Sequence, residues 1–364
     1  MFDLTSRPAA SPGDPSSAPF SQARLDRAAY EHVVDQACLA EDGGLDAYYL
    51  TEHHFNPGFH IVPSPHLLVA ALSQRTTRIR LGVMCTNLTL HHPVRVAEEI
   101  RMMDLLTGGR LEVGFGRGAA AHEQVGYGVD PAVAEPLFDH SMAVIGDLLT
   151  TGQADSYEVG PWKGGKVVLV PAPTQQPHPP LWLAAVADQS LRKAARLGLN
   201  LCTAFLDMDD VTRTSRTYRE AWQEWHADRP CGRYGTLQQV FVGESERDLR
   251  HSAGSLNGWV TAGLSLEEAS AKGRIVYGTP DTCIAQLLRM ASSGVDMFQG
   301  WFQFGVLDQE ASTRSLKLFC DAVVPGVRVA LGLGAGPALP LPDGGPGRSR
   351  AHFARTRDRA RRSL

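Results

Sequence analysis

PVRVAEEIRMMDLLTGGRLEVGFGRG, residues 93–118, decides the fold. Val94, Ala97, Ile100 and Met103 recur at the three-to-four spacing that puts them on one face of a helix. Pro93 opens that helix, where its missing N–H costs nothing. Gly108-Gly109 stop it, because glycine takes the left-handed cap without steric penalty. RLEVGFG then reads as a buried strand. The same phrase recurs three times: YEHVVDQACLAEDGG (30–44) into LDAYYLTEHHF (45–55), DQSLRKAARLG (188–198) into LNLCTAFL (199–206), and TPDTCIAQLLRMASSG (279–294) into VDMFQGWFQF (295–304). Helix, glycine stop, strand, repeated along the chain, means alternating α/β with parallel strands, since parallel neighbours need a helical crossover. In such folds chemistry gathers at the C-terminal ends of the strands. Those ends carry Glu52-His53-His54, Met84-Cys85 and Gly116-Arg117-Gly118.

The remaining elements fit between these units. MFDLT is a short opening strand, 5–23 a Pro/Ser/Ala-rich loop, and 28–42 the first helix. PHLLVAALSQRT (65–76) is a helix and RIRLGVMCT (78–86) a strand; 133–150 is helical and 155–170 an inserted hairpin. LWLAAV (181–186) is a strand, and Asp188-Gln189-Ser190 offers N-cap chemistry to the next helix. Helix 208–227, strand TLQQVFVGE, an irregularly helical stretch 246–277, strand VDMFQGWF and a last helix 310–324 complete eight strands. This predicts one domain over 1–328. The Gly/Pro/Arg-rich tail, 329–364, has little to bury and is expected to be disordered.

The chain has 364 residues, and one barrel of eight units, commonly about 250 residues or more, accommodates them. A net charge of −4 gives no overall electrostatic case for nucleic acid. No run approaches a membrane span, and MFDLTSRPAAS has neither the basic nor the apolar part of a secretory signal. Six scattered cysteines without a CxxC pair suit neither zinc nor a disulfide scaffold. The expectation is a soluble cytoplasmic protein with reduced thiols.

GFGRGA (114–119) matches Gly-x-Gly-x-x-Ala, a dinucleotide-binding fingerprint that would imply a dehydrogenase using NAD(P)H. The context opposes it: the pattern falls on the fourth strand, and two glycines and a proline follow where a helix should open. The glycines more readily let backbone approach a bound phosphate, with Arg117 supplying charge; a surface ion pair for Arg117 is the plain alternative. In Glu52-His53-His54 an extended backbone sends the two histidines to opposite sides, one to the mouth and one against a neighbouring loop. Adjacent histidines rarely share a metal, so acid/base work suits them better, with packing as the plain reading. His91-His92-Pro93 reads as helix entry. Trp182, Trp301, Phe302 and Phe304 read as core, or as lining of an apolar pocket.

These motifs converge on a family. TEHHF (51–55), TTRIRLGVMCTNLTLHHPVRVAEEIRMMDLLTGGRLEVGFGRG (76–118), PPLWLAAVADQSLRKAARLG (179–198), VYGTPDTCIAQLLRMASSGVDMFQGWF (276–302) and SLKLFCDAVVPGV (315–327) resemble the bacterial luciferase-like flavin-dependent monooxygenases, in order, over about 24–328. The resemblance implies a TIM (β/α)8 barrel with inserted loops and a flavin at its C-terminal mouth. It places Arg117 and the Ser190 hydroxyl on the flavin phosphate, with backbone amides of Val186-Ala187 nearby. Luciferase has Glu-Ser at these last two positions, so one phosphate ligand is lost here. It makes His53 the acid/base group, with Glu52 beside it, and Met84-Cys85 a non-proline cis peptide under the isoalloxazine, close to Gly116. The implied activity uses FMNH2 from a separate reductase and O2, through a C4a-(hydro)peroxyflavin, to oxygenate a small organic substrate, an aldehyde or a secondary metabolite. Homodimerisation through the second and third helices is implied as well, and the segment matching luciferase's mobile lid, about 255–277, is shorter. Two rivals share the barrel: an F420-dependent hydride-transfer enzyme, and a non-catalytic partner subunit like the luciferase β chain.

Overall fold

Parallel strands separated by helices make up most of the described chain, which in this computed structural model comprises residues 1–3, 19–118, 120–256, 264–304, 307 and 309–334. In order, the elements are β1 (Phe2–Asp3), α1 (Pro19–Asp42), β2 (Ala47–Leu50), α2 (Pro65–Ser73), β3 (Arg80–Asn87), α3 (Pro93–Leu106) and β4 (Leu111–Gly116). Next come α4 (Ala121–Gly126), α5 (Ala134–Thr151), β5 (Gln153–Ala154), β6 (Tyr157–Val159), β7 (Trp162–Gly164), β8 (Val167–Val168) and β9 (Leu181–Ala184). The chain continues with α6 (Asp188–Leu197), β10 (Asn200–Ala204), α7 (Met208–His226), β11 (Tyr234–Val242), α8 (Glu246–Leu256) and α9 (Leu266–Lys272). It closes with β12 (Ile275–Gly278), α10 (Pro280–Ser292), β13 (Met297–Trp301), α11 (Gln309–Leu318) and α12 (Val324–Ala330).

The chain divides into two compact units. The first holds Met1–Leu50, Pro57–Ile61 and the described residues from Ala185 to 334. In it β1 lies between β2 and β13, with Phe2 in register with Tyr49 and Trp301. The long strand β11 pairs with β13, β10 and β12. Every one of these pairings is parallel, as the helical crossovers require. Phe298 of β13 packs on Phe319, which lies between α11 and α12. The second unit holds Thr51–Asn56 and Val62–Ala184. Its parallel strands run β3, β4, β9, and the expected hairpin region forms two antiparallel ladders, β5 with β8 and β6 with β7. Val94, Ala97, Ile100 and Met103 are buried along α3, the stripe read from their spacing. Arg101, on the same helix, is buried and donates to the carbonyls of Leu148, Leu169 and Pro171, tying α5 and the ladder segment together.

All eight expected strands are present, and four expectations are corrected. Residues 19–23 belong to α1 rather than to a loop; Pro19 stands at the first helical position, where proline is tolerated. The stretch 246–277 contains a strand, β12, whose four residues IVYG are too short for a periodic signal. The residue capping α6 is Ala187, not Asp188; Asp188 lies in the first turn, pairs with Arg213, and no side chain caps the helix. The last helical segment starts at Gln309 and continues through a π-helical turn, Phe319–Val323, to Ala330. Residues 5–18 of the expected loop, Ala119, residues 257–263 of the expected lid segment and the tail from residue 335 fall outside the described residues. Among the described residues no helix is long and apolar enough to cross a membrane.

Candidate active site

Past Leu50 the chain leaves β2 and enters the second unit, and residues 52–54 become the centre of a polar cluster. Their side chains divide as extended backbone dictates. The His53 side chain is 26% exposed, whereas those of Glu52 and His54 are 1% and 2% exposed. The Glu52 carboxylate accepts from His54 Nε2 at 2.8 Å, His91 Nε2 at 2.7 Å and the Asn87 amide N–H at 3.0 Å. Burial opposes its ionisation, but the hydrogen bonds from the two rings and the amide outweigh that and hold its pKa at about 2. His91 answers in kind: burial pulls its pKa down, and the bond to Glu52 more than reverses this. Glu52 is therefore an anion throughout the neutral range, with donors at both carboxylate oxygens.

A second carboxylate, Glu123 of α4, accepts from His53 Nδ1 at 3.0 Å and from the His54 backbone N–H at 2.9 Å. Burial resists its ionisation too, and these bonds lower its pKa regardless. A carboxylate can only accept, which fixes the tautomers. Neutral His53 carries its proton on Nδ1, so its basic atom is Nε2. His54 donates from Nε2 to Glu52, so in the neutral ring Nδ1 is the acceptor, and the Tyr127 hydroxyl lies 3.3 Å from it. His122 Nε2 is 3.3 Å from the His54 carbonyl, so α4 and the residue after it grip both histidines.

The peptide between Met84 and Cys85 is cis, as the resemblance implies. These residues lie within β3, not at its end, and form a bulge: Val83 pairs with Val113 but Thr86 with Phe115. The bulge explains two glycines on β4. A Cβ on Gly114 would stand 2.3 Å from Met84 Sδ, and one on Gly116 would stand 2.3 Å from Cys85 Sγ. Both glycines thus have a packing reason of their own, apart from any phosphate. Burial, reinforced by the charges of Glu52 and Glu123, pushes the Cys85 thiol up to about 12, so it is not a nucleophile.

Arg117 follows β4 directly. Its side chain is 56% exposed and stands 3.6 Å from Glu135, the surface ion pair that was its plain alternative. Its carbonyl accepts from Thr89 Oγ1 at 2.9 Å and Gln124 Nε2 at 3.3 Å, so the backbone behind the guanidinium is fixed. Glu52, His53, Met84, Cys85, Gly116 and Arg117 all belong to the second unit; Val186, Ala187 and Ser190 belong to the first. There Val186 and Ala187 are exposed just ahead of the uncapped α6, and the Ser190 N–H is already bonded to the Ala187 carbonyl. Trp182, Trp301, Phe302 and Phe304 are buried core residues, and Trp182 donates to Glu112 at 2.7 Å.

Sequence reading missed Glu123, Asn87 and the role of His91, which is more than helix entry. His66 was missed as well; it bonds Glu99 at 2.8 Å and Thr86 at 3.0 Å. The available signal was an acidic residue one step after a histidine in AAAHEQVGYG, within a short helix that the glycines concealed.

Residues 8–297 match the luciferase-like monooxygenases. An uncharacterized Sinorhizobium fredii protein, y4wF, is 37% identical over 58% of this chain and 62% of its own length, so the chain spans less than two thirds of that relative. The oxygenase component of the flavin-dependent trigonelline monooxygenase of Acinetobacter baylyi is 27% identical over 81% of this chain and 89% of its own. Monooxygenase RslO1 from Streptomyces bottropensis superposes with a TM-score of 0.76 at 23% identity, over 89% of this chain and 98% of that one. The oxygenating constituent of 3,6-diketocamphane monooxygenase from Pseudomonas putida, in complex with FMN, gives 0.71 at 19%, over 90% and 98%. An F420-dependent secondary alcohol dehydrogenase gives 0.68 at 17%, over 82% and 95%. At these identities the structures establish the fold, the luciferase-like TIM barrel expected from the sequence.

Two outcomes follow from the geometry. Gly116→Ala should destabilise the protein by about 1–3 kcal/mol through overpacking against Cys85, and adding Cys85→Ala should recover most of that in thermal unfolding. No recovery would show that the thiol is not what the glycine accommodates. Glu52 has a folded pKa below its ordinary 4.5, so it stabilises above that value and the contribution fades as pH falls toward 2. His91 has a raised folded pKa, so its contribution is complete below 6.5 and fades as pH rises through the folded value. Glu52→Gln should therefore cost about 3 kcal/mol near pH 6 and progressively less toward pH 2 in denaturant titrations; a pH-independent cost would contradict the assignment.

Proposed function

The chain belongs to the luciferase-like monooxygenase family, and on that premise we propose that it is the oxygenase component of a two-component monooxygenase using reduced FMN and O2. The observation that carries the reading is the His53–Glu123 pair: a part-exposed imidazole oriented by a buried carboxylate, with its basic nitrogen defined. Bound reduced FMN would supply the electrons that activate O2, one oxygen atom passing to a small organic substrate, an aldehyde or secondary metabolite, and the other leaving as water.

The residues present suit such a group. The Arg117–Glu135 contact, between half-exposed side chains at 3.6 Å, is a weak pair that a phosphate can replace. Val186, Ala187 and, through its hydroxyl, Ser190 are assigned to phosphate contact by the family resemblance. Met84, Cys85 and Gly116 are assigned to the ring by the family resemblance. His53 takes and returns a proton at Nε2 while Glu123 holds Nδ1 and stabilises the imidazolium. Glu52 keeps His54, His91 and the Asn87 amide in place. That the Acinetobacter relative is an oxygenase component supports a separate reductase. A homodimer is supported by Leu67 on α2 and Met102 on α3, which are 73% and 57% exposed on two helices that pack together.

Anaerobic equilibrium titration with reduced FMN and with F420 tests the cofactor. Arg117→Ala should weaken reduced FMN binding about 10–100-fold, the loss of a charge-assisted phosphate contact of about 1.5–3 kcal/mol. His53→Asn should leave that affinity intact while lowering reductase-coupled, O2-dependent turnover about 10²–10⁴-fold. Binding of F420 in preference to FMN, with turnover under anaerobic conditions, would overturn the assignment. Leu67→Glu should convert a dimer to monomers in light scattering, and an unchanged mass would remove that face from the interface.

A further inference from the structure

Asn87, like His54, is in contact with both buried carboxylates. Its backbone N–H donates to Glu52 Oε2 at 3.0 Å; its side-chain amide donates to the Glu52 carbonyl at 3.3 Å and to Glu123 Oε2 at 3.5 Å. Both side-chain partners can only accept, so the NH2 group must face them. The Oδ1 atom then faces the Cys85 thiol, at 3.9 Å. Asn87 is 3% exposed, so these bonds have no competition from water.

The bulge in β3 is what brings Asn87 there. In an unbroken strand, residues 83, 85 and 87 would share a face. Here Thr86, not Cys85, takes the register position after Val83. Thr86 meets His66 of α2, so Asn87 lies on the opposite face, among the site residues. Gly116, in register with Asn87, leaves space beside it: a Cβ there would lie 3.8 Å from Asn87 Oδ1.

We propose that Asn87 is a positioning residue for the His53 imidazole, acting through Glu123. With Oε1 of Glu123 holding His53 Nδ1 and the His54 amide, the rotation of the carboxylate is set by what holds Oε2. Asn87 is the donor at Oε2, and the same amide group fixes the backbone of Glu52, one residue before His53. The uncharged amide also separates two anions without adding a third charge. Use of this arrangement in turnover rests on the monooxygenase reading; the positioning itself does not.

The test needs no cofactor. In the free protein, solvent exchange of the His53 Nδ1 proton is followed by NMR, with the His66 Nδ1 proton, held by Glu99 in the same unit, as internal control. Asn87→Leu, which removes the donors, and Asn87→Asp, which keeps the shape and supplies only acceptors at a pH where the new carboxyl is ionised, should each speed exchange at His53 about 10-fold, one broken hydrogen bond's worth, with His66 unchanged. In turnover both variants should lower kcat about as much, with the FMN dissociation constant within about two-fold of wild type. Asp behaving like wild type would mean that volume is what matters, and overturns the proposal. So does equal acceleration at His66, which marks general loosening, and so does unchanged exchange at His53. If the NMR result holds but no flavin binds, the monooxygenase reading fails and the positioning role stands.

Discussion

Two carboxylates ionised inside one unit are the constraint on which the site depends. Removing an ion from water costs several kcal/mol even after relaxation. Glu52 and Glu123 offset this with three donors each: two rings and an amide for Glu52, and a ring, a backbone amide and the Asn87 side chain for Glu123. Satisfying them dictates the rest. It fixes the proton of His53 on Nδ1 and of His54 on Nε2 and holds His91 toward its charged form, while burial first, and then the two charges, push the Cys85 thiol up. The bulge at Met84-Cys85 and the bare glycines opposite it let Asn87 turn into this cluster.

The architecture was legible because its signals are local. A helical stripe, a glycine stop and an apolar strand repeat within about thirty residues, and each is set by backbone sterics. The division of His53 and His54 between part-exposed and buried settings also followed from extended backbone alone. Other features depend on the chain folding back on itself. Glu123 lies 70 residues beyond His53, on a six-residue helix whose flanking glycines mask it. Asn87 reaches the site only because a bulge reverses the alternation of β3, which no period-two reading can anticipate. The capping of α6 by Ala187 rather than Asp188 is a one-residue shift in which a salt bridge to Arg213 replaced a cap. The four residues of β12 were too few to carry a period.

Family membership and site geometry bear on different parts of the function. Membership accounts for the barrel and the broad chemistry. The arrangement around Glu123 supplies a defined proton-accepting atom on His53, and the part-exposed Arg117, with its backbone pinned by Thr89 and Gln124, supplies a charge suited to a phosphate. Cofactor affinity should accordingly lean on Arg117.

On the proposed function, Met84-Cys85, His53 and Arg117 serve one bound flavin. A crystal structure of the protein soaked with FMN tests it most directly. The isoalloxazine should lie against the Met84–Cys85 peptide, within reach of His53 Nε2, with the phosphate on the Arg117 guanidinium in place of Glu135. A flavin bound elsewhere, or with Arg117 still paired to Glu135 and His53 remote from the ring, would contradict it.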